Sequence, residues 1–179
     1  MIGVLVSGEG SNLQALIDAG LPIACVASNR AGVRALERAE AAGIPARAFP
    51  LDGYTDRAHR DRELADWLIL RGVDLVVLAG YMHLLTPDFL DRFPDSVVNV
   101  HPSLLPEFPG AHAIDDALAA DVPTTGVTVH YVDEGLDTGA VIRQEPVQVD
   151  PRDTLVERIH AVEHRLLPEV VRELCGAAR

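Results

Sequence analysis

Three polar residues occupy positions from which side chains can do chemistry. Asn99 and His101 lie at the end of a short apolar run, and residues two apart in an extended chain face the same side. An amide and an imidazole on one side can donate hydrogen bonds to an oxygen that gains negative charge during a reaction. Asp137 lies among glycines at residues 133–139, and a carboxylate near His101 would raise the pKa of the imidazole and fix its orientation. Each residue alone also has a structural explanation, because a lone histidine at a strand end is more often structural than catalytic and Asp-Gly loops are usually turns.

A glycine-rich segment at residues 8–14 follows the first apolar run and opens the first helical pattern. Such a loop lets the backbone approach an anion, and the free N–H groups at the helix start then bind it. We therefore predict that Gly10, Ser11 and Asn12 hold a phosphate group. A dinucleotide loop needs a third glycine, where this chain has Leu13, and an acidic residue ending the second strand, where it has Asn29. A tight turn without a ligand is the remaining alternative.

Apolar runs and amphipathic segments alternate along the chain, as in α/β domains with a parallel sheet. The pattern predicts strands at residues 2–6, 23–27, 46–49, 75–79, 97–100, 124–132 and 140–149. It predicts helices at residues 11–19, 33–42, 57–70, 87–92, 113–120 and 154–174, the last with a capping box of Thr154 and Glu157. The predicted fold class is α/β, a doubly wound, mostly parallel sheet of about seven strands with helices on both faces.

The overall composition is that of one globular domain over residues 1–179. A net charge of −12 argues against a general nucleic-acid binder, which usually has a basic surface. The two cysteines, Cys25 and Cys175, indicate a reducing compartment. The N-terminus lacks the basic region of a signal peptide, and no apolar run reaches the roughly 20 residues of a membrane helix. We therefore expect a cytoplasmic protein that does not contact membranes.

Short motifs occur in a fixed order along nearly the whole chain. They are G-S-N-L-Q at 10–14, D-R-E-L at 61–64, L-A-G-Y-M at 78–82, N-V-H-P-S-L-L-P at 99–106, F-P-G-A-H at 108–112, D-E-G-L-D-T-G at 133–139 and E-H at 163–164. In this combination the chain resembles the phosphoribosylglycinamide formyltransferases, the folate-dependent enzymes of purine biosynthesis. The N-x-H-P-S-L-L-P string with the later D-x-G is specific for folate-dependent formyl transfer, and the G-S-N-L-Q loop narrows the resemblance to this family.

The resemblance implies a Rossmann-like formyltransferase fold, with a phosphate-binding half at residues 1–98 and a catalytic and folate-binding half at residues 99–179. It implies transfer of the formyl group of 10-formyltetrahydrofolate, a co-substrate, to the amine of 5'-phosphoribosylglycinamide. The products would be formylglycinamide ribonucleotide and tetrahydrofolate. The partners would be these small molecules, without metal, nucleic acid or membrane, and the protein would be a monomer or homodimer.

The resemblance also implies residue roles. Asn99, His101 and Asp137 would form the catalytic set, Gly10, Ser11 and Asn12 would bind the substrate phosphate, and Glu163 would lie on the amine side of the substrate. The implied folate contacts are Arg57, Met82, His83, Leu84, Leu85, Asn99, Asp133, Glu134, Gly135 and Leu136. His83 stands where the family more often carries arginine or lysine. We therefore expect weaker binding of the glutamate tail of the folate, or binding by His83 only when His83 is protonated.

Several alternatives remain open. Formyltetrahydrofolate deformylase shares the N-x-H and Asp set but uses water as the acceptor; its usual N-terminal regulatory domain is not expected, because the first strand starts at Ile2. Methionyl-tRNA formyltransferase would need a further C-terminal domain and a basic surface. His160 and His164 fit the H-x-x-E-H pattern of a zinc peptidase on a helix, although a polar helix face explains them as well. A nucleotide-binding Rossmann module without enzymatic activity would bind ligand without transferring a formyl group.

Overall fold

A seven-stranded sheet organises residues 1–177, the part of the chain that the computed structural model describes. The strands are β1 (Ile2–Val6), β2 (Ile23–Ser28), β3 (Ala46–Ala48), β4 (Leu75–Leu78), β5 (Val97–His101), β6 (Thr124–Tyr131) and β7 (Val141–Gln148). The helices are α1 (Ser11–Asp18), α2 (Arg34–Ala41), α3 (Arg57–Ile69), α4 (Pro87–Leu90), α5 (Ala113–Ala119) and α6 (Leu155–Ala177). Residues 178–179 of the predicted domain lie outside the described residues.

The strand order is β3-β2-β1-β4-β5-β6-β7, with parallel pairing from β3 to β5. β6 pairs antiparallel with β5, and β7 pairs antiparallel with β6. The predicted α/β class and the mostly parallel sheet are confirmed. The chain leaves β1 for β2 on one side and returns to β4 on the other, so the strand order reverses between β1 and β4. Ligands bind beyond the carboxyl ends of the strands at such a reversal.

The sheet separates two apolar layers. On one face Leu13 of α1 and Leu166 of α6 are buried with inward residues of the strands. On the other face Leu64 of α3 and Phe89 of α4 are buried against the sheet. Because helices cover both faces, every residue of β1 is buried, which explains its uninterrupted apolar sequence. The strands are therefore held firmly, and the loops at their carboxyl ends are built on a fixed frame.

The start of the last helix differs from the prediction. Residues Arg152–Thr154 form a 3-10 turn, and α6 begins at Leu155. The Thr154 hydroxyl donates to the carbonyl of Pro151 and accepts from Arg158. The capping box of Thr154 and Glu157 stays a prediction, and α6 begins directly after Thr154, as that motif requires.

Gly10 is a position where the loop before α1 tolerates no side chain. Its φ is +73°, and an added Cβ would lie 2.6 Å from the Cβ of Ala35. Gly20 after α1 is a matched case without crowding, since its φ is +66° and no atom lies within 4 Å of the added Cβ. The left-handed backbone alone costs an alanine about 1 kcal/mol.

We expect Gly20→Ala to lower the free energy of unfolding by about 1 kcal/mol. Gly10→Ala should lower it by about 1–3 kcal/mol more, because the crowded Cβ must push α1 and α2 apart. Urea unfolding of both variants measures the difference. Equal losses would contradict the close packing of the loop before α1 against α2.

Candidate active site

A cavity of about 550 Å³ opens at the carboxyl ends of β1, β4 and β5. It lies at the point where the strand order reverses, as the fold class predicts. The loop before α1, the segment after β4, the end of β5 and the loop between β6 and β7 all contribute to its walls. The volume is in the range of small-molecule sites.

The predicted phosphate loop forms one wall of the cavity. Gly10, Ser11 and Asn12 all line it, and the first-turn N–H groups of α1 have no partner within the helix. The Asn12 side chain is partly used, since its Nδ2 donates to Oε2 of Glu163 at 3.3 Å. Its Oδ1 is buried without a hydrogen-bond partner among the described residues. The backbone N–H groups at the start of α1 and the second N–H of the Asn12 amide are therefore the donors available to an anion.

Glu163 lies on α6 and reaches the same wall. Its side chain is buried, and burial raises the pKa of this carboxyl to about 7, although the Asn12 amide acts to lower it. Glu163 lines the cavity next to the loop before α1. It can therefore exchange a proton with a ligand near neutral pH.

The structure brings Asn99, His101 and Asp137 together at the opposite part of the cavity wall. Asp137 adopts a φ of +54°, and its Oδ2 accepts a hydrogen bond of 2.8 Å from the N–H of Gly110. The same oxygen lies 3.5 Å from Nδ1 of His101. The other oxygen, Oδ1, lies 3.6 Å from Nε2 of His130. One carboxylate, 11% exposed, thus faces two imidazole rings.

The orientation of His101 follows from its backbone partner. Nε2 of His101 lies 2.8 Å from the carbonyl oxygen of Phe108, and a carbonyl can only accept, so Nε2 carries a hydrogen. Nδ1 is left facing Asp137 at 3.5 Å, a distance longer than a hydrogen bond. A proton on Nδ1 would therefore have a charge partner and remain available to a ligand oxygen.

His130 is a part of this centre that the sequence reading missed. Its Nδ1 donates to the carbonyl of Tyr131 at 2.8 Å, and its Nε2 lies 3.3 Å from Nδ2 of Asn99. Burial lowers the pKa of His130, although the Tyr131 carbonyl and Asp137 act in the opposite direction. The neutral ring then has a lone pair on Nε2 that accepts from Asn99. His130 therefore fixes the Asn99 amide with its NH₂ group towards the centre.

The segment after β4 forms the third part of the wall. Met82, His83, Leu84 and Leu85 all line the cavity, and Asp133, Gly135 and Leu136 line it from the loop between β6 and β7. The side chains of Met82, Leu84 and Leu136 are 65%, 49% and 51% exposed. A ligand with an apolar body that covers apolar side chains at a cavity mouth removes their surface from water, which favours binding.

Two of the predicted folate contacts lie elsewhere. Arg57 starts α3 with an exposed side chain, and Glu134 is exposed in the loop before β7; neither lines the cavity. Arg30, Tyr81 and His160 line it instead. The helical pattern identified α3, but the residues of that helix lie outside the cavity lining.

The two histidines of α6 point to different sites. Their rings are stacked at 6.1 Å, but His160 lines the cavity, whereas His164 lines a separate groove between α1 and α6. Within residues 1–177 there is no group of three or more His, Cys, Asp or Glu side chains arranged to hold a metal ion. Across the same residues, every helix is too short or too polar to cross a membrane.

Comparison with known proteins identifies the family. The sequence pattern described as formyl transferase matches residues 1–171. The chain belongs to the formyl transferase family. Phosphoribosylglycinamide formyltransferase of Bacillus subtilis is 40% identical to this formyl transferase over 184 residues, covering 97% of this chain and 93% of that protein. A trifunctional purine biosynthetic protein adenosine-3 of Chironomus tentans is 45% identical over 182 residues, and the chain spans only 13% of its length.

Solved structures of related proteins agree with the fold of this formyl transferase. Phosphoribosylglycinamide formyltransferase of Streptococcus pneumoniae superposes with a TM-score of 0.92 at 43% identity, covering 97% of each chain. The protein of that name from Bacillus halodurans gives a TM-score of 0.95 at 39% identity, covering 99% of this chain and 96% of that chain. The resemblance recognised from the motifs is therefore confirmed.

The raised pKa of Glu163 makes the stability of this formyl transferase depend on pH. Between the ordinary value of 4.5 and about 7, the folded protein holds a proton on Glu163 that the unfolded chain has lost. Stability therefore falls as pH rises through this window. Glu163→Gln keeps the shape and the contact with Asn12 but removes the titration.

We compare the free energy of unfolding of Glu163→Gln with that of the natural protein. As the pH rises from 5 to 7.5, this difference should shift in favour of the variant by roughly 2–3 kcal/mol. Urea unfolding at both pH values measures this change. Glu157→Gln, which alters an exposed carboxyl of the same helix, is the control and should show no such change. The same pH dependence in all three proteins would contradict the assignment of a buried, protonated Glu163.

Proposed function

We propose that this formyl transferase moves the formyl group of 10-formyltetrahydrofolate to the amine of 5'-phosphoribosylglycinamide, in de novo purine biosynthesis. The observation that carries the proposal is the placement of Asn99, His101 and Asp137 in the same cavity as the glycine loop at residues 8–14. The names of the Bacillus subtilis and Streptococcus pneumoniae relatives support the same acceptor.

Phosphate binding is assigned to the start of α1. The protein carries a net charge of −12, so an anionic substrate must be held by local groups. The left-handed Gly10 and the unpaired N–H groups of Ser11 and Asn12 supply such a local site. The amine end of the substrate then lies near Glu163, which is hydrogen-bonded to Asn12.

Folate binding is assigned to the apolar mouth and the loop between β6 and β7. Met82, Leu84 and Leu136 are exposed around the cavity, and the rings of the folate are flat enough to cover them. Asp133 is fixed in this loop, since its Oδ1 accepts from the N–H of Gly135 and from the Thr138 hydroxyl. This arrangement supports formyl-folate as a co-substrate held between the two loops.

The reaction forms one bond and breaks another. The substrate amine attacks the formyl carbon, a new C–N bond forms, and negative charge develops on the formyl oxygen. The bond from this carbon to N10 then breaks, and the amine proton passes to N10. In this proposal a water molecule near Asp137 carries that proton to N10.

Asn99 and His101 stabilise the developing charge. His130 holds the NH₂ group of Asn99 towards the reacting centre, and Asn99 has a second N–H to give. Nδ1 of protonated His101 lies 3.5 Å from Asp137, which is longer than a hydrogen bond. Its N–H can therefore donate a hydrogen bond to the formyl oxygen. Deleting one preorganised donor of this kind typically costs about 3–4 kcal/mol of transition-state stabilisation.

The decisive experiment is formyl transfer from 10-formyltetrahydrofolate, measured with and without 5'-phosphoribosylglycinamide. We expect formylglycinamide ribonucleotide and tetrahydrofolate only when the acceptor is present. Formate release without the acceptor would instead identify a deformylase that uses water. Binding of both ligands without any formyl transfer would identify a non-enzymatic nucleotide-binding module.

Asp137→Asn tests the proposed role of the carboxylate. Asparagine can still accept from the N–H of Gly110 but carries no charge towards His101 and His130. We expect turnover to fall at least about tenfold with little change in affinity for 5'-phosphoribosylglycinamide. Asp115→Asn, which removes the same charge at an exposed position of α5, should retain full turnover. Full turnover in Asp137→Asn would show that the carboxylate has no such role.

A further inference from the structure

Arg60 is a fully buried arginine next to the candidate active site, with 0% of its side chain exposed. Its Nε donates to Oδ1 of Asp61 at 2.7 Å, and its Nη1 lies 3.0 Å from Nδ1 of His83. Nη2 is buried without a hydrogen-bond partner among the described residues. Arginines are seldom buried completely, because removing the guanidinium from water is costly. This one is held where it meets His83, a residue of the cavity wall.

The chemistry of the two groups decides which one donates. A guanidinium has five N–H donors, no acceptor and stays protonated in proteins. The bond therefore runs from Nη1 of Arg60 to Nδ1 of His83, and Nδ1 carries no proton. The single hydrogen of the ring must then be on Nε2, and the imidazole is neutral. A second proton on Nδ1 would break this bond and leave two guanidinium nitrogens buried without partners.

The charges and burial around His83 also favour the neutral imidazole. Arg57 and Arg60 of α3 and Arg30 after β2 face it with positive charge, while Asp61 is the opposing carboxylate. That carboxylate is already committed, because it pairs with Arg60 and accepts from the N–H of Thr86 at 2.9 Å. Burial is the largest effect and, with the arginines, lowers the pKa of His83 from its ordinary value of 6.5.

We infer that Arg60 is a positioning residue that holds His83 as a neutral imidazole, with its Nε2–H free to donate to an acceptor oxygen of the folate. The inference rests on the proposed function for the identity of the ligand. No protein group within residues 1–177 pairs with Nε2 of His83, which lines the cavity beside Met82 and Leu84. The expected ligand group is a carbonyl or carboxylate oxygen of the benzoylglutamate end.

This role replaces the earlier expectation that His83 grips the folate only when protonated. The positive charge is on Arg60, which does not line the cavity but is hydrogen-bonded to His83 of the cavity wall. It acts on the ligand through the imidazole. A donor that is itself hydrogen-bonded to a cation is polarised and becomes a stronger donor. Folate affinity at this end of the cavity should therefore not require low pH.

The first test reads the state of His83 directly in the natural protein. Imidazole ¹⁵N spectra at pH 5.5–8, with the His83 signals assigned by their loss in His83→Gln, report which nitrogen carries hydrogen. We expect a proton on Nε2 alone at pH 7 and a charged form appearing only below pH 6.5. A proton on Nδ1 at pH 7, or a midpoint at or above 6.5, would overturn the inference.

The second test removes the guanidinium. Arg60→Met should let His83 take both tautomers and protonate at higher pH, and should weaken tetrahydrofolate binding about three- to tenfold at pH 7.5, measured by calorimetry. The KM for 10-formyltetrahydrofolate should rise by the same factor while kcat stays nearly constant. Arg62→Met removes an arginine of the same helix that pairs with Asp88 on the surface, and it should change neither quantity.

The outcomes separate this inference from the proposed function. A folded Arg60→Met with unchanged His83 spectra and unchanged tetrahydrofolate affinity would overturn the positioning role. If Arg60→Met does not fold, the spectrum of the natural protein decides the question alone. Absence of formyl transfer by the natural protein would overturn the proposed function, whereas the state of His83 is read without any turnover.

Discussion

The placement of the Asp137 carboxylate between two imidazole rings is the constraint on which the candidate site depends. Gly110 fixes one oxygen by a backbone hydrogen bond of 2.8 Å, and the two oxygens face His101 and His130 at 3.5 and 3.6 Å. Each ring is held at its other nitrogen by a backbone carbonyl. His130 in turn holds the Asn99 amide, so the carboxylate, the two rings and the amide form one cluster of polar groups.

The fold supplies that carboxylate and its partners from two kinds of structure. β5 and β6 are neighbours in the sheet, and their antiparallel pairing sets Asn99 directly opposite His130. Asp137 comes from a loop that needs glycine, since a Cβ at Gly139 would lie 1.8 Å from the carbonyl oxygen of Tyr131. The left-handed backbone of Asp137 itself is a strained conformation, and such strain is common where a side chain must be aimed. The sheet fixes the histidines, and the loop brings the charge to them.

Local patterns were enough to predict the parallel strands and the shared direction of Asn99 and His101. Apolar runs and a two-residue repeat depend only on neighbouring residues. His130 could not be found this way, because its contact with Asn99 depends on the register of strands that are 31 residues apart. The same limit applies to α3, where local pattern could not show that Arg60 is buried and contacts His83 of the cavity wall. Arg57, which the resemblance implied, lies one turn earlier, and only packing decides which of the two arginines is buried.

Whether Asp137 and His101 act as one unit can be measured by a double-mutant cycle in single-turnover formyl transfer, with both substrates saturating. The variants are His101→Ala, Asp137→Asn and the double variant, compared with the natural protein. If the carboxylate works through the ring it faces at 3.5 Å, the double variant should be within about threefold of the slower single variant. If instead the two losses multiply, the residues act independently, and the organising role assigned to Asp137 is contradicted.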